Sequence, residues 1–140
     1  MKRRETMEPK IDHIGIAVNS IEEAFKLYRD LLHIEKSTEE ILEDRGIKVT
    51  FLYIKDVRIE LMEPMREDSE ISNFLKKRGE GFHHIAFQVD NIKMVLENAK
   101  KMGYKTLSDE PNRGAGGSLV FFLHPKSANG ILTEFVEYQK

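Results

Sequence analysis

The sequence predicts an α+β protein built from two tandem βαβββ units, and three observations carry that prediction. The string Asp12-His13-Ile14-Gly15-Ile16-Ala17-Val18-Asn19-Ser20-Ile21 has a counterpart in His83-His84-Ile85-Ala86-Phe87-Gln88-Val89-Asp90-Asn91-Ile92, with His13 and His84 lying 71 residues apart. Each reads His-Ile, a small residue, a large apolar residue, any residue, Val, two polar residues and Ile. A second pair, Arg58-Ile59-Glu60-Leu61-Met62-Glu63 and Leu132-Thr133-Glu134-Phe135-Val136-Glu137, puts Glu60 and Glu134 74 residues apart, so the offset drifts by only three. In both halves the first string alternates with period two and is followed by a stripe of helical period. A chain that repeats itself at a fixed offset is best read as copies of one supersecondary unit.

The elements follow in order. Residues 1–10 form a basic, frayed tail without the apolar run of a signal peptide, and the first unit spans 11–64. Ile14, Ile16 and Val18 point to one side of a strand, and His13, Gly15 and Ala17 to the other. Asn19 or Ser20 caps a helix whose stripe is Ile21, Ala24, Phe25, Tyr28, Leu31 and Leu32. Residues 34–42 read as an edge strand, Asp44-Arg45-Gly46 as a turn, and residues 47–54 and 57–62 as a hairpin about Lys55-Asp56. Residues 65–81 are a linker with a short helix over 70–77, capped by Ser69 or Asp68. The second unit, 82–140, repeats the order. It has a strand over 83–89, a helix through Val95, Leu96 and Ala99 ended by Gly103, a short strand over 104–107, a Gly-rich loop over 109–117, and strands over 119–123 and 131–138.

Composition narrows the function classes. With 40 % hydrophobic and 33 % charged residues and a net charge of −2, the chain is an ordinary globular protein without a basic footprint for nucleic acid. No apolar run approaches the roughly 18 residues that cross a bilayer, so no membrane partner is expected. The absence of cysteine excludes disulfides and thiolate sites and leaves nitrogen and oxygen as metal donors. A cytoplasmic location is expected.

A single histidine on a strand is most often a satisfied structural residue. The repeat changes that reading: if the two units pair about a pseudo-twofold axis, His13 meets His84 and Glu60 meets Glu134. Each sits on a strand whose other face is apolar, so the four project into one cavity. Two imidazoles and two carboxylates with open positions suit a six-coordinate divalent ion such as Co²⁺, Mn²⁺, Ni²⁺, Fe²⁺ or Zn²⁺, which also offsets the cost of burying two glutamates. His83 should point away from His84, as a packing or outer-sphere residue. His33 stands at a helix end, His124 belongs either to turn structure or to a pocket rim, and Glu63 and Glu137, on the opposite face from the ligands, are expected in solvent. Gly114-Ala115-Gly116-Gly117 opens no helix and is a poor phosphate loop; close backbone approach to a ligand and a plain turn are both open.

These strings resemble the vicinal oxygen chelate (glyoxalase/bleomycin-resistance) superfamily, whose members pair βαβββ units into a curved mixed sheet around a metal cavity. Ile11 to Val18 and Gly79-Glu80-Gly81-Phe82-His83-His84-Ile85-Ala86-Phe87 mark the superfamily. Gly114-Ala115-Gly116-Gly117 and His124-Pro125-Lys126-Ser127 point within it to the methylmalonyl-CoA epimerase family. The resemblance implies His13, Glu60, His84 and Glu134 as ligands of one divalent ion, Co²⁺ before the others. It also implies an acyl-CoA substrate and interconversion of (2R)- and (2S)-methylmalonyl-CoA through a metal-stabilised enolate, with Glu134 as one acid/base. Open sheets with exposed edges lead separately to the expectation of a homodimer. The second glutamate of some family members falls at Val49, so the second proton carrier is unassigned; Glu43 or Asp44 would have to reach in from the turn. The alternatives are a glyoxalase-type lactoylglutathione lyase with the same metal site, and a metal-free resistance protein that binds a small molecule. The filled ligand positions argue against the last.

Overall fold

A computed structural model describes residues 8–139, so residues 1–7 of the expected tail lie outside the described residues, and the first strand already begins at Lys10. The chain divides into two compact units, one of residues 13–84 and the other of residues 85–139 with the strand start up to Asp12.

In the 13–84 unit, β1 (Lys10–Ala17) leads into α1 (Ile21–Leu32), followed by β2 (Glu40–Leu42), β3 (Ile47–Ile54), β4 (Val57–Pro64) and α2 (Glu70–Arg78). The strands stand in the order β2-β3-β4-β1, with β1 parallel to β4 and the other pairs antiparallel. In the other unit, β5 (Gly81–Gln88), whose first half belongs to the 13–84 unit, leads into α3 (Ile92–Lys101), then β6 (Asn112–Arg113), β7 (Leu119–Leu123) and β8 (Thr133–Glu137). Its order is β6-β7-β8-β5, with β5 parallel to β8. Both units therefore share one strand order and one sense of pairing, as the repeat requires. The registers correspond as well: Gly15 stands opposite Glu60, and Ala86 opposite Glu134.

The helices pack on the apolar faces named by the alternation. Val18, Ile21, Leu52 and Leu61 form one core, with Ile16, Ala24, Phe25, Tyr28, Ile34 and Ile59 against it. Ile92, Leu96, Ala99, Phe121 and Leu123 form the other, and there Phe121 stacks on Phe135 at 5.0 Å. The expected α1 stripe is too long. Leu31 and Leu32 are exposed, because the chain leaves the helix through His33 in a left-handed conformation (φ 56°) and Ile34 takes the packing position instead.

Both long helices start on side-chain caps, Ser20 Oγ accepting from Glu23 N at 3.2 Å and Asn91 Oδ1 from Met94 N at 3.1 Å. A second acceptor stands at each start. Glu63 Oε1 accepts from Ile21 N at 2.7 Å and Glu137 Oε1 from Ile92 N at 2.8 Å. The expectation of two solvated glutamates is thus corrected. A carboxylate on the helix side of the sheet is near the positive end of the helix dipole, and both are used there.

Several strand boundaries also differ from expectation. The edge strand shrinks to Glu40–Leu42 because Ser37 Oγ takes the Phe51 N–H at 2.9 Å, leaving only an isolated bridge between Lys36 and Leu52 before it. Residues 104–107 form no strand beyond a Thr106–Leu123 bridge. Thr106 Oγ1 donates to Ser108 O and Ser108 Oγ to Glu110 O, which turn the chain, and Asn112–Arg113 pairs with β7 instead. The last strand is the shorter Thr133–Glu137. The linker helix, by contrast, runs from Glu70 to Arg78 on a Ser69 cap, as its sequence indicates. No helix among the described residues is long and apolar enough to cross a membrane.

Candidate metal centre

The alternation of β1 and its pairing with β4 put His13, Gly15 and Glu60 on the face away from α1. His84, at the end of the same unit's chain, completes a group with them. His13 Nε2 lies 3.1 Å from His84 Nε2. Glu60 Oε1 is 3.4 Å from the first and 3.5 Å from the second. All three residues are buried. The bulk of His84 is accommodated by the missing side chain of Gly15. The His13 ring meets Phe51 edge-on at 5.5 Å, and the Arg58 guanidinium lies 3.9 Å over the Phe51 ring.

Two imidazole nitrogens and a carboxylate oxygen converging without intervening atoms form a donor triangle. Ligands at 2.0–2.2 Å from a first-row divalent ion lie about 3.0 Å apart at right angles and about 3.4 Å apart at tetrahedral angles. The observed edges of 3.1, 3.4 and 3.5 Å fall in that range, so the three residues fit one face of a coordination sphere. The donor set, nitrogen with hard oxygen and no sulfur, suits the same ions.

The fourth predicted ligand, Glu134, belongs to the other compact unit. There it is a buried carboxylate on β8, opposite Ala86 of β5 and Phe122 of β7. Its register repeats that of Glu60. In the same unit the Tyr138 hydroxyl donates to Asp12 Oδ2 at 2.6 Å, at the root of the strand that carries His13.

His83 does not turn away from its neighbour as strand alternation suggests. Its Nδ1 lies 2.9 Å from Nδ1 of His84, the two rings being nearly perpendicular at 89°. The His84 ring lies along the space over Gly15, which brings its Nδ1 edge back toward His83. On its other side His83 meets the Phe74 ring of α2 at 5.0 Å. Burial, reinforced by the neighbouring His84, pushes the His83 imidazole down to about 4, so it is uncharged at neutral pH.

Val49, where some relatives of the resembled family carry a glutamate, is fully buried and pairs with Met62 on the face of Glu60. Glu43 and Asp44 sit exposed on a 3₁₀ turn, with Glu43 engaged through its carbonyl by Arg66 Nη1 at 3.0 Å. The β2–β3 register instead puts Glu40 directly opposite Val49, and residues so paired share a face. Reading residues 34–42 as one edge strand left its register on β3 open, and a shift of one residue reverses the face that Glu40 takes.

His124 belongs to turn structure. Its Nδ1 accepts from Lys126 N at 3.0 Å and caps the 3₁₀ turn that follows. The Gly-rich segment is a hydrogen-bonded turn, closed by Gly114 N to Ser118 O at 2.9 Å and Ser118 Oγ to Ala115 O at 2.8 Å. An apolar cleft of about 490 Å³ beside α3 is lined by Ile85, Phe87 and Phe135. These residues alternate with Ala86 and Glu134 and so face away from the carboxylate.

Residues 12–122 match the family model of the glyoxalase/bleomycin resistance protein/dioxygenase superfamily. The mouse mitochondrial methylmalonyl-CoA epimerase is 38 % identical over 126 residues, covering 89 % of this chain and 71 % of its own length. A hypothetical protein from Bacillus halodurans C-125 superposes with a TM-score of 0.92 at 44 % identity, over 96 % of this chain and 97 % of that one. A variant of the Streptomyces coelicolor methylmalonyl-CoA epimerase, in complex with 2-nitronate-propionyl-CoA, superposes with a TM-score of 0.88 at 39 % identity, over 91 % and 93 %.

Proposed function

We propose that this chain, which belongs to the glyoxalase/bleomycin resistance protein/dioxygenase superfamily and within it to the methylmalonyl-CoA epimerase family, interconverts (2R)- and (2S)-methylmalonyl-CoA at a divalent-metal centre. The observation that carries the reading is the donor triangle of His13, Glu60 and His84. Glu134 is proposed as the fourth ligand, on the strength of the register it shares with Glu60 in the repeat. Co²⁺ is the ion proposed, from among the six-coordinate first-row divalent metals that two nitrogens and two carboxylates with open positions suit alike.

When bound, such an ion supplies the positive charge that makes a C2 proton beside a thioester carbonyl removable near neutral pH. The residues do the remainder. His13, Glu60 and His84 are held by buried strand positions, so the donors are preorganised. Glu134 is the proposed acid/base for one face of C2. Glu40, opposite Val49 on the face of Glu60, is proposed for the other. Epimerisation requires only that one group remove the proton and the other return one from the opposite side. A homodimer and a cytoplasmic location belong to the same reading, and sedimentation of the purified protein tests the first.

The test is to incubate the Co²⁺-loaded protein with (2S)-methylmalonyl-CoA in D₂O and follow deuterium at C2 and the (2R) product. Exchange with conversion, lost in Glu134→Gln, is the expected result. Bound metal without exchange would overturn the assignment and direct attention to thiohemiacetal substrates.

A further inference from the structure

We infer that His83 is a positioning residue for the metal centre: it accepts the Nδ1 proton of His84 and thereby leaves the Nε2 lone pair of His84 bare toward His13 and Glu60. The inference rests on the reading of His84 as a metal ligand.

A contact of 2.9 Å between two Nδ1 atoms holds one proton, so one ring donates and the other accepts. If His83 donated, a neutral His84 would carry its proton on Nε2. That proton would stand between the three converging donors, 3.1 Å from His13 Nε2 and 3.5 Å from Glu60 Oε1, where ligation needs a lone pair. If His84 donates, its Nε2 is bare, and His83 holds its own proton on Nε2. Metal ligation selects the second arrangement. The usual partner of a ligating histidine is a carbonyl or carboxylate, which can only accept. Here the partner is a ring with two tautomers, so its orientation must be fixed by packing. That packing is visible. His83 is buried against the Phe74 ring in a T-shaped contact, and Phe74 sits on α2 with the Arg78 guanidinium 5.6 Å over its ring. His84 cannot escape by rotating, since its ring fills the space over Gly15. Helix α2, which contributes no ligand, thus acts on the centre through one imidazole.

The test is Co²⁺ titration of apo wild type, His83→Phe and His83→Asn by calorimetry or chelator competition, with thermal melting of each apo protein alongside. Phe keeps the aromatic packing and removes the acceptor, whereas the Asn amide oxygen restores an acceptor near the place of Nδ1. Loss of an outer-sphere partner weakens metal binding about 10- to 100-fold, expected in His83→Phe and recovered to within about threefold of wild type in His83→Asn. Apo melting temperatures should not follow that order. Binding by His83→Phe within twofold of wild type overturns the inference, as does His83→Asn binding as weakly as His83→Phe. A wild type that takes up no Co²⁺ overturns the metal reading itself and this inference with it. Should His83→Phe fail to fold, ¹⁵N spectra of the Zn²⁺-loaded wild type decide. A protonated Nδ1 on His84 and a bare Nδ1 on His83 are expected, and the reverse overturns it.

Discussion

The imidazole of His84 occupies the space that a Cβ on Gly15 would need. Such an atom would lie 2.1 Å from its Cε1 and 2.3 Å from its Nδ1. Neither group has slack. Gly15 is central in β1, paired with Glu60, and His84 is 1 % exposed. Gly15→Ala should therefore push the ring off the donor triangle as well as strain the strand. Overpacking of this kind costs about 1–3 kcal/mol. The expected result is a lower melting temperature together with a loss of Co²⁺ affinity of at least about 100-fold, more than removal of an outer-sphere partner produces. Calorimetric titration and a melting curve measure the two effects separately, and unchanged metal affinity would refute the coupling.

Glu63 and Glu137 yield a second prediction, one about stability. Each accepts the N–H of the first residue of a helix, Ile21 and Ile92 respectively. Substitution by alanine removes both a cap and a charge at the positive helix end, so each variant should lose about 1–2 kcal/mol. The two pairs belong to different compact units and share no partner, so the double variant should show the sum. Metal affinity should not change. Denaturant melts check the first point and Co²⁺ titration the second.

These glutamates also show where sequence reading stops. The repeat exposed Glu60 and Glu134 because period-two alternation puts them on the face opposite the apolar residues. The same logic put Glu63 and Glu137 on the other face. Whether a polar side chain there meets water or a helix start depends on where the helix begins relative to the strand end, a distance in space that no local pattern encodes. The packing or outer-sphere role of His83 was legible in the sequence, but its contact with the His84 ring was not. Alternation fixes where Cβ points, but the contact with His84 depends on side-chain torsions and on an empty volume at Gly15, 69 residues away in sequence. Ser37 shortened the edge strand through one hydroxyl bonded to Phe51 N, a competition between side chain and backbone that propensity does not resolve.

Metal removal supplies a third prediction. A buried carboxylate between two imidazoles is costly unless something positive is shared among them. The metal-loaded protein should therefore melt well above the chelated one. An ion at 100 times its dissociation constant stabilises by about 2.7 kcal/mol, and the gap should grow with ion concentration. Glu60→Gln removes the charge and keeps the shape. Its apo form should be at least as stable as apo wild type, while its gain from Co²⁺ should be smaller. Scanning calorimetry at several Co²⁺ concentrations reads both, and equal gains in the two proteins would remove Glu60 from the centre.

The last prediction concerns the two sides of C2. Val49 cannot move a proton, and Glu43 and Asp44 belong to a 3₁₀ turn outside the strands. Glu40 shares the face of Val49 by register, with Met62 and Phe51 between it and Glu60. If Glu40 and Glu134 serve opposite faces, each variant should keep half of the chemistry. Glu40→Gln should lose interconversion by at least about 100-fold, the scale of one acid/base group, yet still exchange the C2 proton of one epimer with D₂O. Glu134→Gln should abolish exchange of that epimer and, because Glu134 is also the proposed fourth ligand, should weaken Co²⁺ binding as well. Separate incubation of each epimer in D₂O, followed by chiral analysis, distinguishes the cases. Full conversion by Glu40→Gln would mean that the second proton comes from elsewhere on the same face, and Glu60 would then be the carboxylate to substitute next.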